Sequence, residues 1–477
     1  MAQSSNNDST DKDSSSAMTA TKGPLLNDSI DKDSSSAMTA TKYPLLNDSI
    51  DKDSSSTMTA IKDPLLQVIQ KAFPDVHSYE VDDNIVQANA EGFGVTVKSN
   101  DSDRCLFVKT VEASKYSHKP WGDLRRTLLY ARTEARFYSD ILPMLQKKSS
   151  SDWSIAPYCH LSATYLDGLI EEHESTSAKE GDSDSDPVYD ESEHSILIGK
   201  GGNLILDSMK EGYYQDSPLK PEEAVACLTA IAKFHALGFQ DEEILSKVSD
   251  NLCEYGGSYH LKNRNPKEIK NLQTTWENFV KEISPANEEL FTKQSIQDLA
   301  QRMQNMAEYI SNELSPSHKD KYATIVHGDF KSMNVFLPTT DKDHPVIIDF
   351  ASTGLGNPLS DVAMHITHAL DPEHLVDGGE EAMVDAYINA LNDALPDGHF
   401  YPRDDAFRHY QLAVLDYFRF IMGRLWRGST LDTFEKRKNS KNSVYVNRSL
   451  DAAFNFIERA DKYLERFEKE VNERDEL

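Results

Sequence analysis

Between residues 324 and 361 the chain gathers side chains that together could move a phosphoryl group. The apolar run Thr324-Ile325-Val326 delivers His327-Gly328-Asp329, and Asn334 follows. A second apolar run, Val346-Ile347-Ile348, ends at Asp349-Phe350. Alone, a His-Gly-Asp tripeptide is a common loop sequence and an Asp-Phe pair says less still; the ordered string is another matter. Mg²⁺ takes oxygen ligands and usually only one or two from protein, the rest coming from phosphates and water. Asp349 is the expected metal ligand and Asn334 an uncharged second one. Asp329 is then free to accept the proton of an attacking hydroxyl, a service worth about 10² to 10⁴ in rate. Lys331 could neutralise charge building on the transferring phosphate. His327 is expected to orient the loop by hydrogen bonding.

These groups need positioning. Val335-Phe336-Leu337 and Val346-Ile347-Ile348, joined by the polar stretch 338–345, predict a β-hairpin with Asn334 at its entry and Asp349 at its exit. In an antiparallel pair those two positions are neighbours. Upstream, Cys105 to Val111 is a β-prone run containing Lys109. Asp123 is predicted to cap a helix running to about Ile141, with Leu124, Leu128, Ala131, Ala135 and Tyr138 on one face and Glu134 beside it. Gly199, Gly201 and Gly202 mark a turn before the strand Leu204-Ile205-Leu206. Pro221 opens a helix with Glu222 and Glu223 in its first turn and Leu228, Ile231, Ala232 and His235 on its buried face. Beyond residue 267 most segments read as helices.

The remaining length divides by composition. Residues 7 to 66 are three near-copies of a 20-residue unit, closed by Pro24-Leu25-Leu26, Pro44-Leu45-Leu46 and Pro64-Leu65-Leu66. They are too poor in large apolar residues to stack as a solenoid, so 1–66 is expected to be a disordered tail. Residues 171 to 194 form an acidic, Ser-rich loop between two strands. The apolar share of 38% is low for a wholly folded chain, as the tail would explain. A net charge of −29 argues against nucleic acid or an anionic membrane as partner. No stretch approaches the roughly 20 apolar residues of a membrane span. The N-terminus lacks the pattern of a secretory signal, and Arg474-Asp475-Glu476-Leu477, though like an ER retrieval signal, is expected to go unread. A cytoplasmic protein is expected, with Cys105, Cys159, Cys227 and Cys253 reduced.

The string from His327 to Phe350, with Gly356-Asn357-Pro358 and Ser360-Asp361-Val362-Ala363 after it, resembles the aminoglycoside phosphotransferase and choline kinase superfamily, and within it the ecdysteroid-kinase-like branch. Glu134-Ala135-Arg136-Phe137-Tyr138, Leu204-Ile205-Leu206 and Ala232-Lys233-Phe234-His235-Ala236 are similar to that branch too. The resemblance spans roughly residues 80 to 430. It implies an α+β, bilobal, protein-kinase-like fold, with a mostly antiparallel-β nucleotide-binding lobe over 67–207 and a helical lobe over 208–477. It implies ATP and Mg²⁺ as cofactors and a hydroxyl on a small organic molecule as acceptor. Lys109 would meet the nucleotide's α- and β-phosphates and pair with Glu134. Asp207 and Met209 would be hinge positions facing adenine, and Asp361 would brace the catalytic loop. Tyr417, Phe420, Arg424 and Trp426 are candidates for the acceptor pocket, with a core role as the alternative. The phosphate loop departs from pattern: Glu91-Gly92-Phe93-Gly94 has two glycines and no third. The rival functions are a nucleotide-binding pseudokinase scaffold and a protein kinase. Gly328, where most protein kinases carry Arg, and the absence of an Ala-Pro-Glu segment speak against the second.

Overall fold

The computed structural model describes residues 63–86, 90–98, 103–149, 154–170, 194–263, 266–340, 344–438 and 449–475. The expected tail up to residue 62, the acidic loop over 171–193 and the last two residues of the C-terminal tetrapeptide lie outside the described residues. The third repeat does not end in a tail. Its closing Pro64-Leu65-Leu66 starts helix α1 (Pro64–Ala72), because Asp63 accepts from the backbone N–H groups of Leu65 and Leu66 and Pro64 sits at the first helical position. The two earlier copies carry Gly23 and Tyr43 in place of that cap.

Five strands follow: β1 (Ser78–Val86), β2 (Glu91–Lys98), β3 (Arg104–Glu112), β4 (Cys159–Tyr165) and β5 (Gly201–Asp207). They form an antiparallel sheet in the order β1-β2-β3-β5-β4. Leu106 and Val108 of β3 are buried with Val95, Val97 and Ile205, on the side where Ile69 of α1 packs. The strand's period of two turns Lys109 to the opposite face. There lies α2 (Trp121–Arg136), which buries Leu124, Leu128 and Leu129. Asp123 is not the cap. Pro120 occupies that place, and Asp123 sits in the first turn, paired with Arg126. Nor does the α-helix reach Ile141: it passes into a π-helical turn at Phe137–Ile141 and resumes as α3 (Leu142–Lys148). Gly92 and Gly94 lie within β2, paired with Ile85 and Asp83, so the phosphate loop expected at 91–94 is strand.

The rest is mostly helical. First come α4 (Pro221–Gly238), α5 (Glu242–Asn251), α6 (Pro266–Lys270), α7 (Leu272–Ile283), α8 (Glu288–Thr292), α9 (Gln294–Gln297) and α10 (Leu299–Glu313). After the catalytic string come α11 (Leu359–Ala369), α12 (Gly379–Ala394), α13 (Arg403–Phe420), α14 (Leu431–Arg437) and α15 (Leu450–Asp475). Short strands thread between them: β6 (Tyr213–Tyr214), β7 (Cys253–Tyr255), β8 (Thr324–Val326), β9 (Val335–Pro338), β10 (Val346–Ile347) and β11 (Gly354–Gly356). They make two small sheets, β10-β9-β6 and β7-β11-β8. Arg302 of α10 holds α15 through Glu468 and Asp461, and Arg408 of α13 does so through Glu470. One apolar core runs through this half and takes in Phe137 and Tyr138 beyond α2. The architecture is α+β, as expected: a five-stranded antiparallel sheet with α2 on one face, followed by a mostly helical half.

Candidate active site

The hairpin forms as its sequence predicts. Val335 pairs with Ile347 and Phe336 with Val346, and the Ile348 N–H donates to the Asn334 carbonyl at 2.9 Å. Asn334 and Asp349 therefore flank the same end of one β-turn-β unit. Asp349 has φ +64°, a left-handed backbone that costs a non-glycine residue on the order of 1 kcal/mol or more. Such strain persists where surrounding structure enforces it, here by burying Phe350 just beyond. The Phe350 ring stacks on Phe137 at 3.8 Å and meets His327 edge-on at 5.0 Å. A helix of the small lobe thus holds the residue beside the expected metal ligand.

The catalytic loop is fixed from below. Asp361, fully buried on α11, accepts from the N–H of His327 (2.7 Å) and of Gly328 (2.8 Å). Burial would raise the Asp361 carboxyl, but the His235 hydrogen bond and neighbouring groups outweigh it and hold the acid below its usual range. His327 takes the role expected of it. Its Nδ1 accepts from the Asp329 N–H at 3.2 Å, so Nε2 carries the proton and donates to the Ile348 carbonyl at 2.9 Å. That ring ties the loop holding Asp329 to the strand leading into Asp349. Gly328 has φ +81° and no room for a side chain: a Cβ would lie 2.2 Å from the Ser352 carbonyl oxygen and 2.4 Å from the Gly257 nitrogen.

At the mouth, Asn334 Nδ2 donates to the Asp329 carbonyl oxygen (2.7 Å) and to its Oδ2 (3.2 Å), while Lys331 Nζ lies 2.9 Å from Asp329 Oδ1. Across from them Lys109 bridges two carboxylates, 2.7 Å from Glu134 and 2.9 Å from Asp349. Burial pulls the Lys109 ammonium down, but Asp349 and Glu134 more than restore it, leaving it above its ordinary value. Burial, with the Asp349 charge adding to it, raises Glu134 despite Lys109 beside it. For Asp349 the balance falls the other way, and the lysine holds it below the usual carboxylate range. Of the eight catalytic, metal and nucleotide candidates, six fall in two clusters, Lys109 with Glu134 and Asp349, and Asp329 with Lys331 and Asn334, joined through the Ile348 N–H on the Asn334 carbonyl.

The other two, Asp207 and Met209, lie where β5 leaves the sheet. The Asp207 carboxylate is taken by His160 Nε2 at 2.6 Å and its N–H by the Tyr158 carbonyl, while the Ser208 N–H donates to Cys105. Of the acceptor candidates, Trp426 is core, stacked on Phe279 at 4.5 Å, and Tyr417 packs edge-on against Tyr259. Burial, then the nearby Asp329 charge, pushes the Tyr417 hydroxyl well up. Tyr259 carried no motif and was not legible. A surface cleft of about 390 Å³ beside α4 and the outer end of β9 holds none of these residues.

A divalent cation fits this donor set. Asp349 Oδ1 faces Lys109, leaving its second oxygen; Asn334 spends its amide N–H groups on Asp329, leaving its carbonyl oxygen. Among the described residues no three His, Cys, Asp or Glu side chains gather into a closed cage. Two protein oxygens suit Mg²⁺, which keeps its other positions for phosphates and water.

Comparison with known proteins gives similarity of two kinds. The pattern of the ecdysteroid kinase-like family matches residues 191–399, somewhat less than half of the chain. Among solved structures, an aminoglycoside phosphotransferase from Alicyclobacillus acidocaldarius is 10% identical, covering 85% of this chain and 96% of its own, with a TM-score of 0.41. A choline kinase from Streptococcus pneumoniae is 12% identical over 83% of this chain and 100% of its own (TM-score 0.36). An amicoumacin kinase in complex with AMP-PNP, Ca²⁺ and Ami is 12% identical over 83% and 93% (TM-score 0.45). No curated protein sequence matches. The matched segment holds β5, α4, the whole catalytic string and Asp361, and it bears out the resemblance read from that string: residues 191–399 are similar to the ecdysteroid kinase-like family.

Proposed function

We propose that the chain is an ATP-dependent phosphotransferase acting on a hydroxyl of a small organic molecule, with residues 67–207 holding the nucleotide and 208–477 the catalytic loop, metal ligands and acceptor pocket. The observation that carries this is the Lys109 bridge between Glu134 and Asp349, set opposite an Asp329 already oriented by Asn334 and Lys331. A magnesium-bound triphosphate, when present, supplies the phosphoryl group and the charge that neutralises it in transit. Asp349 and Asn334 hold that ion. Lys109 would meet phosphate oxygens of the bound nucleotide, with Glu134 holding its ammonium in place. Asp329 orients the acceptor hydroxyl and takes its proton. Lys331 sits within reach of the same oxygen and offsets negative charge there.

Gly328 supports a small-molecule acceptor. The loop at Gly257 occupies the space that an arginine side chain would need at this position in most protein kinases. Among the described residues no helix is long and apolar enough to cross a membrane.

The test is Mg²⁺-dependent thermal stabilisation of the full chain by ATP, then ATP consumption against a pool of alcohols, amino alcohols and sterols. Asp329→Asn should reduce transfer by about 10² or more while ATP stabilisation survives. Wild-type turnover in that variant would refute the base assignment, and binding with no consumption for any acceptor would favour a scaffold.

A further inference from the structure

Behind the catalytic loop lies a buried polar chain that the phosphoryl-transfer residues do not touch. His235 of α4 places Nε2 3.0 Å from Asp361 Oδ2 and Nδ1 2.8 Å from the Tyr387 hydroxyl of α12. All three side chains are fully buried. Their proton positions follow from the chemistry of the groups. Asp361 is ionised and can only accept, and it already receives the His327 and Gly328 N–H groups. The atom facing it must therefore be a donor, which places a proton on His235 Nε2. Burial outweighs Asp361 and keeps the imidazole below its usual value, hence neutral. Nδ1 is then bare and accepts. Tyr387, whose own proton is held well above the ordinary range by burial and then by Tyr401 and Asp361, donates to it. The direction runs one way: Tyr387 O–H to Nδ1, Nε2–H to Asp361, and Asp361 to the backbone that carries Asp329.

We infer that Tyr387 is a positioning residue for the catalytic loop, acting through the tautomer and orientation of His235 on the Asp361 carboxylate. Removing its hydroxyl leaves a buried Nδ1 without a donor and frees the ring to turn or to change tautomer. Asp361 then loses one of three anchors, while α4 stays in register because Thr324 Oγ1 still donates to the His235 carbonyl at 2.6 Å. The effect on rate rests on the phosphotransferase reading; the tautomer does not.

The experiment is a double-mutant cycle on the full chain with a second, activity-free readout. Tyr387→Phe should lower kcat about tenfold, the size of one unmade buried hydrogen bond, with KM for ATP within about twofold. His235→Gln presents an amide N–H to Asp361 that has no tautomer to lose. In that background Tyr387→Phe should change kcat by less than about twofold, whereas a packing role would cost the same factor in both. Equal factors in the two backgrounds would overturn the inference. The imidazole ¹⁵N spectrum, with His235 assigned by its loss in His235→Gln, should show a bare Nδ1 in the wild type and a shifted Nδ1 in Tyr387→Phe. A protonated Nδ1, or one indifferent to Tyr387→Phe, would also overturn it. If the wild type turned over no acceptor, the spectrum alone would decide, and the failure would belong to the proposed function.

Discussion

Lys109→Met asks the most of the charge arrangement, because methionine keeps the stem and removes the ammonium. In the wild type one cation sits 2.7 Å from Glu134 and 2.9 Å from Asp349, with side chains 13%, 6% and 30% exposed respectively. At an effective dielectric near 20, each contact is worth about 6 kcal/mol of gross attraction, most of it offset by taking the charges out of water. Removing one partner of such a pair typically costs about 3–5 kcal/mol, because the carboxylates left behind stay buried and now repel. The partial exposure of Asp349 argues for the low end, which for a chain of this size is a fall in Tm of about 3–5 °C. The pH dependence has a definite sign. Without the ammonium both carboxyls rise above their unfolded values, so their penalty is absent below about pH 4 and grows as pH climbs through the folded values. The wild type runs the other way at Asp349. That acid is depressed by Lys109, and its contribution is lost as pH falls. The further rise of the carboxyls in the variant makes the gap wide at pH 8 and narrower at pH 5, while the Asp349 contribution of the wild type is intact at both values and is lost only below about pH 4. Thermal unfolding at the two values reads it directly. Equal Tm at pH 8, or a gap that widens toward acid, would refute the clamp.

Two further changes probe the loop. Gly328→Ala meets the Ser352 carbonyl oxygen and the Gly257 nitrogen at a positive φ, so about 2 kcal/mol or more of stability and nearly all transfer should be lost; full activity in that variant would mean that the loop is free to move. Lys331→Met should lower kcat by about 10² with ATP affinity largely kept, the pattern of a charge felt in transit. A rise in KM for ATP at unchanged kcat would place Lys331 on the nucleotide instead.

Much of the site was legible because its chemistry is local. Asp329, Lys331, Asn334 and Asp349 lie within one loop and one hairpin, so spacing and two apolar triplets sufficed to bring them together. Lys109 and Glu134 were another matter. Their pairing depends on β3 and α2 packing face to face, which spacing does not encode, and only the resemblance to a known family connected them. The misplaced helix cap at Asp123 shows the limit of local rules: Pro120 takes the cap because its fixed φ suits the entry to a helix, and Asp123 spends its carboxylate on Arg126. The glycines of β2 looked like a phosphate loop but answer to strand pairing. Tyr259 and Tyr387 carried no signal at all, since a tyrosine within an apolar helix or loop looks the same whether its hydroxyl is idle or bound.

The two halves of the site have different supports, and one side chain joins them. Lys109 and Glu134 belong to the sheet and its helix; Asp329 and Asn334 belong to a loop hung from α11 by Asp361. Asp349 must answer to both, reaching Lys109 on one side while its backbone stays in register with Asn334 on the other. A free chain would not hold a left-handed aspartate there. The neighbouring Phe350 makes it hold, since the ring is fully buried between Phe137 from the small lobe and His327 from the catalytic loop. Withdrawing Phe137 would expose one face of that ring and remove what opposes the strain at Asp349. The lobes are therefore coupled by packing at Phe350 before any charge is considered, and the ion pairs of Lys109 report on that packing as much as they create it.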